Sequence, residues 1–192
     1  MKFINKNSVI GFILGFIISP VIITGGLYLI LKLQEPEMKR IAFPPPQIPF
    51  HGKISFDWKV KRLDGSEMNL KEELEDQVVF LNFWATWCPP CRGEMPSIEA
   101  LYRKYNGRIV FACISNEDIA KIRDFRDAKK YTFPMYHMEG EPPKEFETEG
   151  IPATFIISRD GSVVLKHVGG ANWAHETVVK FLDDLLNNEA SG

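Results

Sequence analysis

The 192-residue chain has little of what usually marks a site: three cysteines, four histidines and no block of like charge. Lysine and arginine number 23 against 25 aspartates and glutamates, a formal net charge of −2, and the two signs are interspersed. Nucleic-acid binding needs clustered Lys and Arg to meet phosphates, so nothing here points to it. Three cysteines do not make the disulfide framework of a small secreted scaffold. His51, His137, His167 and His175 lie scattered without ligand spacing, and there is no second C-x-x-C. A metal site therefore lacks its remaining ligands, and none is expected. No G-x-G-x-x-G or Walker pattern is present, which makes Gly169-Gly170 a backbone turn rather than a phosphate loop. No internal repeat is evident.

Two regions of contrasting character are present instead. From Val9 to Leu31 about 23 residues run without a charge, enough helix to cross a hydrocarbon core of roughly 30 Å. This reads as a single transmembrane helix. A cleaved signal peptide would have a shorter apolar region and a small-x-small site, whereas "LYLILKLQEPE" follows here. Lys2 and Lys6 on one flank face Lys32, Lys39 and Arg40 on the other, so the charge rule leaves orientation open. Gly11, Gly15 and Ser19 form a small-x-x-x-small row, which suits close helix approach but is also ordinary in membrane helices. "IAFPPPQIPF" then removes backbone donors and favours an extended spacer. The expected organisation is a cytoplasmic stub and anchor over 1–33, a Pro-rich linker over 34–50 and one globular domain over 51–192. With 45% hydrophobic and 25% charged residues, a chain of this length buries one core.

Within that domain, "FDWKVKR" alternates as a half-buried strand, and "LDGS" supplies the turn of an N-terminal β-hairpin. "NLKEELED" reads as one or two helical turns, and "VVFLNF" as a strand covered on both faces. A helix should run from the cysteines to about Tyr105, with Ile98, Leu101, Tyr102 and Tyr105 at helical spacing and Asn106-Gly107 ending it. "RIVFACIS" is the next buried strand. It is followed by an amphipathic helix from about Glu117 to Lys130, whose core stripe is Ile119, Ile122 and Phe125. "FPMYHM" is a short strand, "EGEPPKEFETEG" an irregular exposed segment, and "ATFIIS" with "SVVLKHV" a hairpin closed by Asp160-Gly161. A last helix from about Trp173 to Leu186 carries Val178, Val179, Phe181, Leu182 and Leu185 on its apolar face. The expected fold class is α/β, a mixed central sheet flanked by helices.

The chemistry concentrates in "FLNFWATWCPPCRGEMP". Two residues three apart at a helix start have Cα atoms about 5 to 6 Å apart, a span a disulfide bridges. If Cys88 is the N-cap, Pro89 and Pro90 fill the first turn, where a missing N–H costs little. The nearest free amide is then that of Cys91. A Cys88 thiolate can accept from it and sits at the positive end of the helix dipole, which lowers its pKa from about 8.5 and makes it the attacking sulfur. Cys91 is the resolving thiol. An inert structural disulfide remains a bland alternative, but one closing a four-residue loop constrains little chain. Glu94, three residues past Cys91, shares its side of the helix; a solvated glutamate is the competing reading. Cys113 lies within an apolar strand and reads as core.

"FLNFWATWCPPC" followed by "GIPATFIIS" resembles the thioredoxin superfamily. The apolar span, the hairpin and "CRGEMP" resemble its membrane-anchored TlpA/ResA-like branch, from about Ile54 to the C-terminus. The resemblance implies a thioredoxin-like fold without a cofactor and a cis bond between Ile151 and Pro152 facing the disulfide. Ile151 would offer its backbone to an extended substrate peptide. Trp87, Pro89 and Pro90 would shape the substrate surface, and an indole, Trp84 or Trp87, would cover the disulfide. Glu94 would handle the proton of Cys91. One departure matters: thioredoxin has a buried aspartate where this chain has Asn82, and an amide cannot accept a proton. Glu94, water or Glu117 must then serve, with Glu117 also placed to cap or decorate the next helix.

The resemblance further implies a thiol-disulfide reductase on the extracytoplasmic side of a bacterial membrane. Its client would be the oxidised C-x-x-C of apocytochrome c, and its electron donor a membrane thiol carrier of the CcdA or DsbD type. A disulfide oxidase or isomerase would use the same residues. A peroxiredoxin would need Thr-x-x-Cys, whereas Thr86 lies only two positions before Cys88. A copper-delivery role would resemble the Sco proteins, which use C-x-x-x-C with a distal His.

Overall fold

A computed structural model describes residues 57–189. The expected transmembrane helix, the Pro-rich linker and the first residues of the 51–192 domain lie outside the described residues. Among the described residues no helix is long and apolar enough to cross a membrane.

The elements follow the hydrophobic pattern closely. The hairpin is β1 (Lys59–Arg62) and β2 (Glu67–Asn69), turned at Gly65 with φ +91°, a backbone conformation that suits glycine. After it come α1 (Leu70–Leu74), β3 (Val79–Phe83), α2 (Pro89–Tyr105), β4 (Val110–Ser115) and α3 (Ile119–Lys129). The chain finishes with β5 (Met135–His137), a 3-10 turn (Lys144–Phe146), β6 (Ala153–Ile157), β7 (Val163–Val168) and α4 (Glu176–Glu189). Seven strands form one sheet in the order β2-β1-β5-β4-β3-β6-β7. β3, β4 and β5 run parallel, and the remaining pairs are antiparallel.

Strand periodicity divides the core between the two faces of the sheet. Phe80, Phe111, Cys113 and Ile156 turn to one face and pack with Ile98, Leu101 and Tyr105 of α2, Ile122 of α3, and Val178, Leu182 and Leu186 of α4. Val79, Leu81, Phe83, Ile114 and Phe155 turn to the other, against Leu70 and Leu74 of α1. β3 is buried along its whole length, as its continuous apolar run requires.

Three expectations need correcting. The last helix begins at Glu176, not Trp173, because the backbone N–H groups of Ala171 and Trp173 are committed to side chains on α2 and the first helical carbonyl is that of His175. α3 begins at Ile119, leaving Glu117 in the preceding loop, where its carboxylate serves the neighbouring loop instead. The 139–150 segment is not exposed throughout: Phe146 is 1% exposed and meets the rings of Trp58, Phe83 and Phe155 at 6.2, 6.1 and 5.3 Å. That anchor fixes the chain only five residues before Ile151.

Phe146→Ala should cost about 3 kcal/mol or more, since a fully buried ring is deleted from an aromatic cluster. Urea denaturation checks the stability.

Candidate redox site

β3 ends at Phe83 and delivers a short loop to the amino end of α2. Cys88 caps that helix with extended backbone, φ −85° and ψ 110°, and Pro89 and Pro90 occupy the first helical positions. The Cys91 N–H donates to Cys88 Sγ at 3.3 Å. This is the geometry the two prolines dictate, since neither supplies an amide that competes. The sulfurs are joined as a disulfide, with Cα atoms 5.3 Å apart. Cys91 is fully buried and Cys88 nearly so.

The rim around the sulfurs is apolar and open to solvent. Trp87 is 65% exposed and Val168 46%. Pro89 and Pro90 are exposed and Ile151 is half-buried. The Ile151–Pro152 peptide is cis, and the Ile151 carbonyl oxygen lies 3.7 Å from Cys88 Sγ. The Gly169 N–H donates to the Pro152 carbonyl at 2.8 Å, tying the end of β7 to the proline loop. Gly170 sits against Pro90, where an added Cβ would come within 3.2 Å of the Pro90 carbonyl oxygen. Trp84, unlike Trp87, belongs to the core and packs on Phe125 at 5.2 Å.

Below the disulfide, Glu94 is 3% exposed, so it is not a solvated helix glutamate. Its Oε2 accepts from the Trp173 indole N–H at 3.0 Å and from the Ala171 N–H at 3.2 Å; its Oε1 accepts from Asn82 Nδ2 at 2.9 Å. Asn82 also donates to Thr154 Oγ at 2.9 Å. Burial raises the Glu94 pKa from an ordinary 4.5 to about 7, and the donors from Trp173, Asn82 and Ala171 restrain the rise. The carboxyl is thus poised to take or release a proton near neutrality.

Glu117 is placed differently. Burial pushes its pKa up, but the Thr86 N–H and hydroxyl and the Lys121 ammonium outweigh that and hold it below the ordinary value. The Thr86 hydroxyl reaches Oε1 at 2.8 Å, Lys121 reaches the same oxygen at 3.2 Å, and the Thr86 N–H reaches Oε2. A carboxylate engaged in this way splints the loop that presents Trp87 and Cys88. The Thr86 hydroxyl is likewise directed at Glu117.

All the expected residues, Cys88, Cys91, Glu94, Trp87, Pro89, Pro90, Ile151 and Pro152, belong to this one corner of the domain. Sequence reasoning missed Trp173 as a partner of the carboxylate, because it lies 79 residues from Glu94 along the chain and no periodicity links them. A tryptophan three residues after the Gly-Gly turn, outside the apolar stripe of the last helix, was the available signal.

The fold and this site define a thioredoxin-like thiol-disulfide oxidoreductase. Residues 52–166 match the AhpC/TSA family. The thiol-disulfide oxidoreductase ResA of Halalkalibacterium halodurans is 33% identical over 142 residues, covering 72% of this chain and 78% of that protein. The thioredoxin-like protein YneN of Bacillus subtilis is 31% identical over 122 residues, covering 62% and 71%. The crystal structure of a thioredoxin-family thiol:disulfide interchange protein from Chlorobium tepidum superposes with a TM-score of 0.56 at 25% identity, covering 76% of this chain and 98% of that one. The chain belongs to the AhpC/TSA family and, within it, to the TlpA/ResA-like thiol-disulfide oxidoreductases.

The Glu94 shift has a signed consequence for stability. The folded pKa of about 7 lies above the ordinary 4.5, so the contribution is full below pH 4.5 and is lost as pH rises to about 7. The loss should be roughly 3 kcal/mol. Glu94→Gln removes that slope, and the difference between the two proteins' urea-denaturation stabilities across this window measures it.

Proposed function

We propose that this thiol-disulfide oxidoreductase acts as a reductase, tethered to a bacterial membrane by the apolar segment of residues 9–31 with the thioredoxin-like domain on the extracytoplasmic side. The observation that carries the exchange chemistry is Glu94, buried one helical turn from Cys91 with a pKa of about 7; the reducing direction follows the resemblance to the TlpA/ResA-like branch. A dithiol that must close its ring quickly on a client needs a base for its second thiol, and this carboxyl fits that need.

The reaction begins with the Cys88 thiolate, stabilised by the Cys91 N–H and the helix dipole. It attacks one sulfur of a client disulfide; the Cys88–client bond forms, the client S–S bond breaks, and the departing client thiolate takes up a proton. Cys91 then gives its proton to Glu94 and attacks Cys88 Sγ. The mixed disulfide breaks, the client sulfur leaves as a thiolate that takes up a proton from solvent while Glu94 gives up its own, and the Cys88–Cys91 disulfide remains. Two electrons have passed to the client. They are restored by thiol exchange with a membrane carrier of the CcdA or DsbD type.

The surroundings fit an extended polypeptide client. The Ile151 backbone beside Cys88 is placed for strand addition. A cavity of about 290 Å³ beside it, lined by Phe83, Trp84, Trp87, Ile114, Met138 and Ile151 among others, offers room for a client side chain. Taken with the resemblance to ResA, the client we favour is the oxidised C-x-x-C of apocytochrome c during cytochrome c maturation.

Cys91→Ser should accumulate mixed disulfides through Cys88, recovered from cells by non-reducing electrophoresis and mass spectrometry, with an apocytochrome among them; a trap that captures no client counts against the mechanism. The Cys88–Cys91 reduction potential should fall near or below about −250 mV, whereas a value near about −120 mV would make the protein an oxidase.

A further inference from the structure

We infer that Trp173 is a positioning residue for the exchange reaction: its indole N–H, with the Ala171 N–H, occupies Glu94 Oε2 and leaves Oε1 as the oxygen that exchanges the proton. The inference rests on the reading of Glu94 as the base for Cys91.

The geometry is specific. A carboxylate offers about four lone-pair sites on its two oxygens. Two N–H donors already converge on Oε2, at 3.0 and 3.2 Å, while Oε1 has the single donor Asn82 Nδ2 at 2.9 Å. A site for a proton remains on Oε1. Trp173 is held firmly in place: it is 2% exposed, its ring meets Phe80 edge-on at 5.1 Å, and its backbone N–H donates to Ser97 Oγ at 3.0 Å. Ser97 lies one turn beyond Glu94 on α2 and also reaches the Glu94 carbonyl at 2.6 Å. The 169–173 segment is thus fastened to α2 beside the very residue it serves. A buried indole N–H needs an acceptor, and here that acceptor is the carboxylate itself, so the packing of the ring and the position of Glu94 Oε2 are fixed together.

The groups facing this centre are few. Asn82 comes from β3, with Thr154 of β6 behind it. The Cys113 thiol of β4 feels the Glu94 charge, and burial holds it well above its ordinary pKa. His167 of β7 lies against the Trp173 ring at 5.8 Å, and burial holds it below its ordinary value. Cys88 and Cys91, from the same helix as Glu94, do not titrate while joined. In the oxidised chain the titrating groups against the indole are therefore Glu94 and His167, and the carboxyl carbon of Glu94, followed in the same titration, tells which of them the indole reports.

The test is a pH titration of the full-length oxidised chain by NMR, with labelled indole nitrogens, side-chain amides and glutamate carboxyl carbons. The Trp173 Nε1–H resonance should move with a midpoint of about 7. The Asn82 amide should move further at the same midpoint, because the proton arrives on the oxygen it faces. Trp173→Phe, which keeps a ring against Phe80 but removes the donor, should raise the Glu94 midpoint by about one pH unit or more. The pH profile of client-disulfide exchange should shift upward by a similar amount. Ser97→Ala, which releases the Trp173 backbone, should give a smaller shift in the same direction. If Glu94→Gln leaves the exchange profile intact, the reading of Glu94 as the base falls. If Glu94→Gln abolishes the profile but Trp173→Phe leaves the midpoint in place, the role of Trp173 falls and that of Glu94 stands. A wild-type indole resonance that stays still through the Glu94 titration overturns the inference even where Trp173→Phe does not fold. A larger movement at Trp173 than at Asn82 overturns the assignment to Oε1.

Discussion

A carboxyl group taken out of water must be given donors, and in this domain that requirement binds together segments far apart in the chain. Glu94 draws Asn82 from the central strand and Ala171 and Trp173 from the connection between β7 and α4. The last helix starts at Glu176 rather than at Trp173, because the residues before it are engaged at the base of the redox helix. The same connection passes under Pro90 at Gly170, so the segment that supplies the acid's donors also buttresses the active-site motif. Support for the attacking sulfur and support for the proton acceptor are one piece of structure.

Two glutamates near this end of the sheet illustrate how environment separates roles. Glu94 is desolvated more than its donors can offset, and its pKa climbs; Glu117 has enough donors, including an ammonium, to overcome its own desolvation, and its pKa drops. The first is a group that changes protonation near neutral pH. The second is a fixed charge, useful as a tether for Thr86 and, through its backbone carbonyl 2.8 Å from His137 Nδ1, for β5. From the sequence both were proton-acceptor candidates, Glu94 through its spacing from Cys91 and the family resemblance, Glu117 as the weaker of the two. The count and charge of their donors distinguish them.

What could be read from the sequence was whatever depended on neighbours a few residues apart. The unbroken apolar run of β3, the 3.6-residue spacing of Ile98, Leu101 and Tyr105, and the Cys-Pro-Pro-Cys cap are all local, and each stands where its pattern placed it. The cis Ile151–Pro152 bond followed from resemblance, since nothing local specifies it. The partners of Glu94 and Glu117 were not legible, because contacts across 79 and 31 residues leave no periodic trace. Phe146 was hidden for the opposite reason: its surroundings, rich in Pro and Glu, read as solvent-exposed, and a single aromatic in such company carries no pattern. Asn82 was noted as a departure from thioredoxin, but its use as a donor to Glu94 depends on helix and strand being packed together.

Phe146 also divides the long connection between β5 and β6 into two stretches with different obligations. The few residues after it must deliver Ile151 to the disulfide, and their length is set by that distance. The stretch before it, from Glu139 to Glu145, spans from the end of β5 to the anchor and lends Glu141 and Pro142 to the cavity beside Ile151. Insertions there add little closure entropy, and they would reshape the wall of that cavity rather than the disulfide itself. The fold therefore contains a place where client preference can diverge between relatives by loop exchange while the chemistry beside it stays unchanged.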